Sequence, residues 1–298
     1  MPIEEKGATM AFEPTERRTS RVRTTTYRRR LFARQFLPHP RRGTRSLFSR
    51  RRGRWAATRL CFGAATVLLA AVVAFPLLSS RLAVADIDAE QRATNDVAAL
   101  QAESSDTQRS VSIDVPAEQQ YPELPTGCES VALTNALLSF GFDLEKTTIA
   151  DAWLPLSDST FVSAFLGDPY STDGHSCMAP AIASTASAYL AAQESSLQAF
   201  DITGSSLEDV LAEVEAGHPV IAWCTIDLAD PGTAYQVARE GDRTYRLYAN
   251  SHCVVVSGYD LDAGFVLVSD SLAGQVSYDL QLFASRYYEL GAQAVVIK

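Results

Sequence analysis

Apolar positions fall into two rhythms along this chain. Up to about residue 217 they recur at helical spacing. Val131, Thr134 and Leu138, with Ala132 and Ala136, share a face in QYPELPTGCESVALTNALLSFG (120–141), and Gly141 followed by Phe142 marks the stop. KTTIADAW (146–153) predicts a short helix ended by Pro155. Pro180 opens another, with Ile182, Ala186, Tyr189 and Leu190 on one face. Leu207, Val210, Leu211 and Val214 stand at i, i+3, i+4 and i+7. A Ser206/Asp209 cap pair precedes them, and Gly217 and Pro219 follow. The rhythm then shortens. VIAWCTI (220–226) reads as a buried strand. His252–Tyr259 and Phe265–Asp270 flank an Asp260–Gly264 turn, residues 279–290 look helical, and Ala294–Ile297 closes a last strand. Helices first and then largely antiparallel strands predict an α+β domain over 118–298. Two stretches break the rhythm: a long loop rich in turn residues and aromatics at 155–178, and a polar excursion at 227–250. Long ordered loops of the first kind line sites. No internal repeat is visible.

The longest apolar run lies upstream. Leu60–Leu78 carries no charge over 19 residues, which as a helix spans about 28 Å, a bilayer core. Charge divides around it. Residues 1–54 hold 16 Lys+Arg and 4 Asp+Glu, net +12, and residues 55–298 hold the other 10 and 31, net −21. The positive-inside rule then predicts a single-pass cell-membrane protein. Its basic segment 1–59 is cytoplasmic and disordered, 60–78 is a transmembrane helix or signal-anchor, 79–117 is an acidic extracellular linker, and 118–298 is the extracellular domain. DAEQRATNDVAALQAE within the linker is a weak helix former. The alternative is secretion after cleavage near Ala85, because Ala83-Val84-Ala85 is an A-x-A site. The arginine runs read as a topology signal attracted to anionic lipid, with no nucleic acid as partner.

Chemistry gathers at Cys128. It stands in the first turn of a predicted helix, beside free N–H groups and the positive end of the macrodipole, which favours thiolate. Gly127 leaves room for another chain to approach the sulfur. The chain has four histidines. His39 lies across the span from Cys128, His175 in the long loop, and His218 at a helix end between Gly217 and Pro219. His252 opens an otherwise apolar strand, a place suited to a base. Pairing 252–259 with 265–270 about a turn near 261 sets His252 opposite Asp270, roughly 5 Å away on one face. Asp260 lies eight residues along the strand, roughly 26 Å off. Taken alone, each of these residues has a structural reading: a packed thiol, a rim histidine, a strand-end turn acid. Together they predict a Cys-His-Asp nucleophilic site. Oxyanion donors are the Cys128 N–H and Gln120, with Gln119 as an alternative. Cys61 falls in the span. Cys128, Cys177, Cys224 and Cys253 allow two disulfides at most, or one with a catalytic Cys128. The absence of CxxC spacing argues against structural zinc, and no cofactor is implied.

QYPELPTGCESVAL, FLGDPYSTDGHSCMAP, EAGHPVIAWCTI, SHCVVVSGYD and LVSDSLAG, in that order, resemble papain-like cysteine peptidases related to the bacteriocin-processing (double-glycine) peptidases. The resemblance implies a papain-like fold with helices packed on a mainly antiparallel sheet. It implies Cys128 as nucleophile, His252 as base, Asp270 as orienting acid and Gln120 as the oxyanion glutamine. The acid is commonly followed by proline in such families; here Ser271 follows. The best-known members cut leader peptides on ATP-driven exporters, but this chain has no ATPase motif. The reading is a membrane-tethered extracellular cysteine peptidase, a thiol protease acting on peptide or protein. The alternatives are a surface-binding module on the same fold and a thiol amidase or transpeptidase acting on cell-wall peptides.

Overall fold

The computed structural model describes residues 88–102 and 109–298. The basic segment 1–59, the span Leu60–Leu78 with Cys61, and the Ala83–Ala85 site lie outside the described residues. Among the described residues, no helix is long and apolar enough to cross a membrane.

The first half supplies helices and short strands: α1 (88–102), β1 (Ser110–Ser112), α2 (Cys128–Ser139), α3 (Thr148–Ala152), β2 (Leu156–Ser157), β3 (Phe165–Leu166), α4 (Ala179–Ala192), β4 (Ala199–Asp201) and α5 (Leu207–Glu215). The second half is mostly strand: β5 (Val220–Thr225), β6 (Gln236–Glu240), β7 (Arg243–Leu247), β8 (Ser251–Asp260), β9 (Phe265–Asp270), β10 (Gly274–Asp279), then α6 (Leu280–Glu289) and β11 (Ala294–Ile297). The main sheet runs β10-β9-β8-β5-β11-β4 with β1 beside the far end of β8, and all its pairings are antiparallel. The excursion at 227–250 carries the β6–β7 hairpin, and the long loop carries the short parallel β2–β3 pair.

The central strands carry apolar residues on both faces because both faces of the sheet are covered. Val220, Ala222, Cys224, Val254, Val256, Ala294 and Val296 face one cluster, filled by α1, α5 and α6. Ile221, Trp223, Cys253, Val255, Val295 and Ile297 face the other, filled by α2 and α4. The Ser206/Asp209 pair forms a capping box on α5, as its spacing predicts.

Residues 88–102 and 109–117 depart from the linker expectation. Ala89, Ala93, Val97 and Leu100 recur on one face of α1 and are buried in the same cluster as α6. Arg92 lies 4.4 Å over the Tyr288 ring. Asp96 accepts from the Leu207 N–H at 3.1 Å and from the Tyr288 hydroxyl. Composition reads this stretch as polar because only every third or fourth residue is apolar, but that period is enough to dock a helix. β1 follows, pairing with Gly258–Asp260. A Cβ on Gly258 would lie 2.4 Å from the Val111 carbonyl oxygen, so only glycine admits β1 at this distance.

Candidate active site

The segment 120–127 turns tightly into α2, whose first residue is Cys128. Gly127 allows close packing within this turn: a Cβ there would meet the Leu124 Cβ at 2.8 Å and the Pro169 Cβ at 3.3 Å. Cys128 opens onto a cleft of about 660 Å³, lined also by Gln120, His175, Tyr235, His252 and Leu272.

His252 sits near the start of β8, paired with Cys224 of β5. Its Nε2–H donates to the Asp270 Oδ1 at 2.8 Å, leaving Nδ1 as the second nitrogen. The hairpin register differs from the simple expectation. The turn is longer, with Asp260 opposite Phe265, and a bulge at Val256/Gly258 then shifts the pairing by one, so that Val255 opposes Ser269. Without that bulge, Asp270 would stand on the opposite face from His252, since a one-residue slip reverses every side chain. With it, the two share a face as diagonal neighbours.

Asp270 is closely held. Its Oδ1 also accepts from the Leu272 and Ala273 N–H groups at 2.7 and 3.2 Å, and its Oδ2 accepts from the Tyr278 hydroxyl at 2.7 Å. Burial alone would raise this carboxyl. The hydrogen bond and charge of His252, with the Leu272 and Tyr278 donors, bring it down to about 2.

The thiol behaves differently from the expectation. Cys128 is 7% exposed, and its Sγ donates to the Glu129 Oε2 at 3.3 Å, not to His252. Burial and the neighbouring Glu129 charge push the thiol well up, against a smaller opposing pull from the Cys253 N–H. Desolvation and a like charge therefore outweigh the helix terminus, which by itself would lower the value. Glu129 is fully buried, and burial raises its carboxyl, against donors from Ser176, Cys177 and Cys128.

Gln120 lines the cleft with its amide fixed. Nε2 donates to the Pro125 carbonyl at 3.0 Å, which leaves its second N–H, and Oε1 accepts from the Ser271 hydroxyl at 2.7 Å. Gln119 instead donates to the Asp270 carbonyl at 3.3 Å. Away from this core, His175 pairs with the Tyr235 hydroxyl at 2.9 Å, and His218 pairs with Glu213 at 3.0 Å. Cys128, Cys177, Cys224 and Cys253 are all free thiols. Among the described residues, no cluster of His, Cys, Asp and Glu could hold a metal ion.

Glu129, Tyr278, Ser271 and Ser176 also enter the site, unforeseen from residue type. Glu129 left a signal, a charge inside an otherwise buried helical run. Tyr278 left none, because only the β9–β10 hairpin brings it to Asp270.

A family model described as the Peptidase_C39 like family matches residues 112–295. The chain belongs to this family. An uncharacterized protein, YvpB, from Bacillus subtilis (strain 168) is 28% identical over 189 residues, covering 61% of this chain and 72% of its own. The crystal structure of a candidate C39-like peptidase from Bacillus anthracis is 26% identical with a TM-score of 0.56, covering 64% of this chain and 98% of its own. The family's papain-like α+β fold is the one described here, with helices against a mainly antiparallel sheet. The matched span begins inside β1, upstream of the boundary expected at 118.

Proposed function

We propose that this protein is a cysteine peptidase in which Cys128 is the nucleophile, His252 the general base and acid, Asp270 the residue that orients His252, and Gln120 an oxyanion donor. The observation that carries this reading is one cleft lined by Cys128, His252 and Gln120, behind which Asp270 holds the His252 Nε2–H. Sγ attacks a peptide carbonyl while its proton passes to His252 Nδ1. The Sγ–C bond forms and the carbonyl oxygen becomes an oxyanion facing the Gln120 N–H. The C–N bond then breaks as His252 returns the proton to the leaving amine. Water hydrolyses the thioester by the reverse sequence.

The location proposed for this activity is the outer face of a membrane. The charge-free run Leu60–Leu78 and the +12 segment before it support a tether with the N-terminus in the cytoplasm. Cleavage near Ala85 would give a secreted form of the same domain. The substrate proposed is a peptide or protein, with no nucleic acid.

Cys128→Ala tests the reading on a panel of fluorogenic peptides and proteins. Turnover by the wild type that is lost in the variant, at an unchanged melting temperature, is the expected result. Turnover that survives in Cys128→Ala overturns it. The thiol's contact with Glu129 favours a second reading, a peptide-binding module on the same fold. Binding without turnover by the wild type would select that alternative.

A further inference from the structure

Three groups converge on one buried carboxylate. Glu129 sits in the first turn of α2 and is 0% exposed. Its Oε1 accepts from the Ser176 hydroxyl and from the Cys177 N–H, the latter at 3.0 Å. Its Oε2 accepts from the Cys128 thiol at 3.3 Å. A backbone N–H can only donate, and the hydroxyl and thiol complete a set of donors that suits an ionised acceptor. Among the described residues no Lys, Arg or His forms an ion pair with it. The titratable groups around it are Cys128 on α2, Cys177 ahead of α4, Cys253 on β8 and Tyr235 from the excursion. His175 and His252 line the adjoining cleft. None of these supplies the missing positive charge by direct contact.

A negative charge one residue from the nucleophile opposes thiolate formation. The same contact occupies the proton that His252 would have to take. We propose that Glu129 is a positioning residue that keeps the Cys128 thiol protonated and docked at rest, so that attack begins only when the thiol exchanges this acceptor for His252. This rests on the thiol-peptidase reading and adds to it a built-in brake. The carboxylate also ties the cleft wall at Ser176–Cys177 to the nucleophile's helix. Ser176, which holds the brake, also lines the cleft beside His175.

The test is the pH dependence of Cys128 alkylation by iodoacetamide in the full chain, wild type against Glu129→Gln, with Cys128→Ser as blank. Glutamine keeps an oxygen for Ser176 and Cys177 and places an N–H where Oε2 accepted the thiol. The alkylation midpoint is expected to fall by at least about one unit, and the rate at neutral pH to rise about tenfold. An unchanged or higher midpoint overturns the proposal. A second measurement needs no Glu129 variant: the infrared S–H stretch of wild type minus Cys128→Ser at neutral pH. A band moved to low wavenumber by a strong acceptor supports the proposal, and a missing or unshifted band overturns it. Neither readout requires turnover. A protein that cleaves nothing can still show both effects, so failure of the peptidase reading is told apart from failure of this one.

Discussion

The Ser271 hydroxyl donates a 2.7 Å hydrogen bond to the Gln120 Oε1, and the Ser271 carbonyl accepts the Gln120 N–H at 3.0 Å. Ser271, next to Asp270, thus grips Gln120 from both sides. Ser271 is therefore the residue that fixes the Gln120 amide beside the cleft.

Gln120→Ala should lower kcat by roughly 10²–10³, the usual cost of one oxyanion donor. Ser271→Ala should cost less, about tenfold in kcat with KM little changed, because the donor stays but its orientation loosens. Steady-state kinetics on one peptide separate the two. Equal kcat for wild type and Gln120→Ala would remove Gln120 from the chemistry.

Asp270 predicts an acid limb of stability. Its folded value of about 2 lies below the ordinary ~3.9. Its contribution is therefore complete above that ordinary value and is lost as pH falls through the window down to about 2. Melting temperatures between pH 5 and pH 2 should fall more steeply for wild type than for Asp270→Asn. Parallel curves would contradict the assignment.

Tyr278→Phe removes the only side-chain donor to the Asp270 Oδ2 among the described residues. The expected loss is about 1.5–3 kcal/mol, the range for a hydrogen bond to a charged group. The acid limb should also move to higher pH. Urea unfolding at neutral and acid pH reads both effects.

Asp96→Ala tests the docking of α1. Asp96 caps the first N–H of α5 and meets Tyr288, so its loss should cost about 1–2 kcal/mol. Faster hydrogen exchange at the Leu207 amide would localise the effect. A flexible linker over 88–102 would give no change in either measurement.

Free-thiol titration in denaturant without reductant should find Cys128, Cys177, Cys224 and Cys253 all reactive. A disulfide between any two would remove two equivalents from the count.

The main helices and the central strands were legible because periodicity is a local property. The α5 helix, its Ser206/Asp209 cap and the central strands could be read from a few residues each. The His252–Asp270 partnership was legible for another reason: few histidines were available, and only one opened an apolar strand. Its geometry was not. The long turn and the bulge near Ser257 are set by pairing across strands, and together they decide which face Asp270 occupies. The docking of α1 was missed because its partner surface on α6 lies almost two hundred residues away in the chain.

Neighbours along the chain were enough to place α2 to α6 and the strands β5, β8, β9 and β11, since helical and strand periods are local. The tertiary structure alone decided the state of Cys128. A thiol's ionisation depends on the water and charges around it. Here those come from burial against β8 and from a Glu129 carboxylate held by Ser176 and Cys177, neither of which the helix terminus could override.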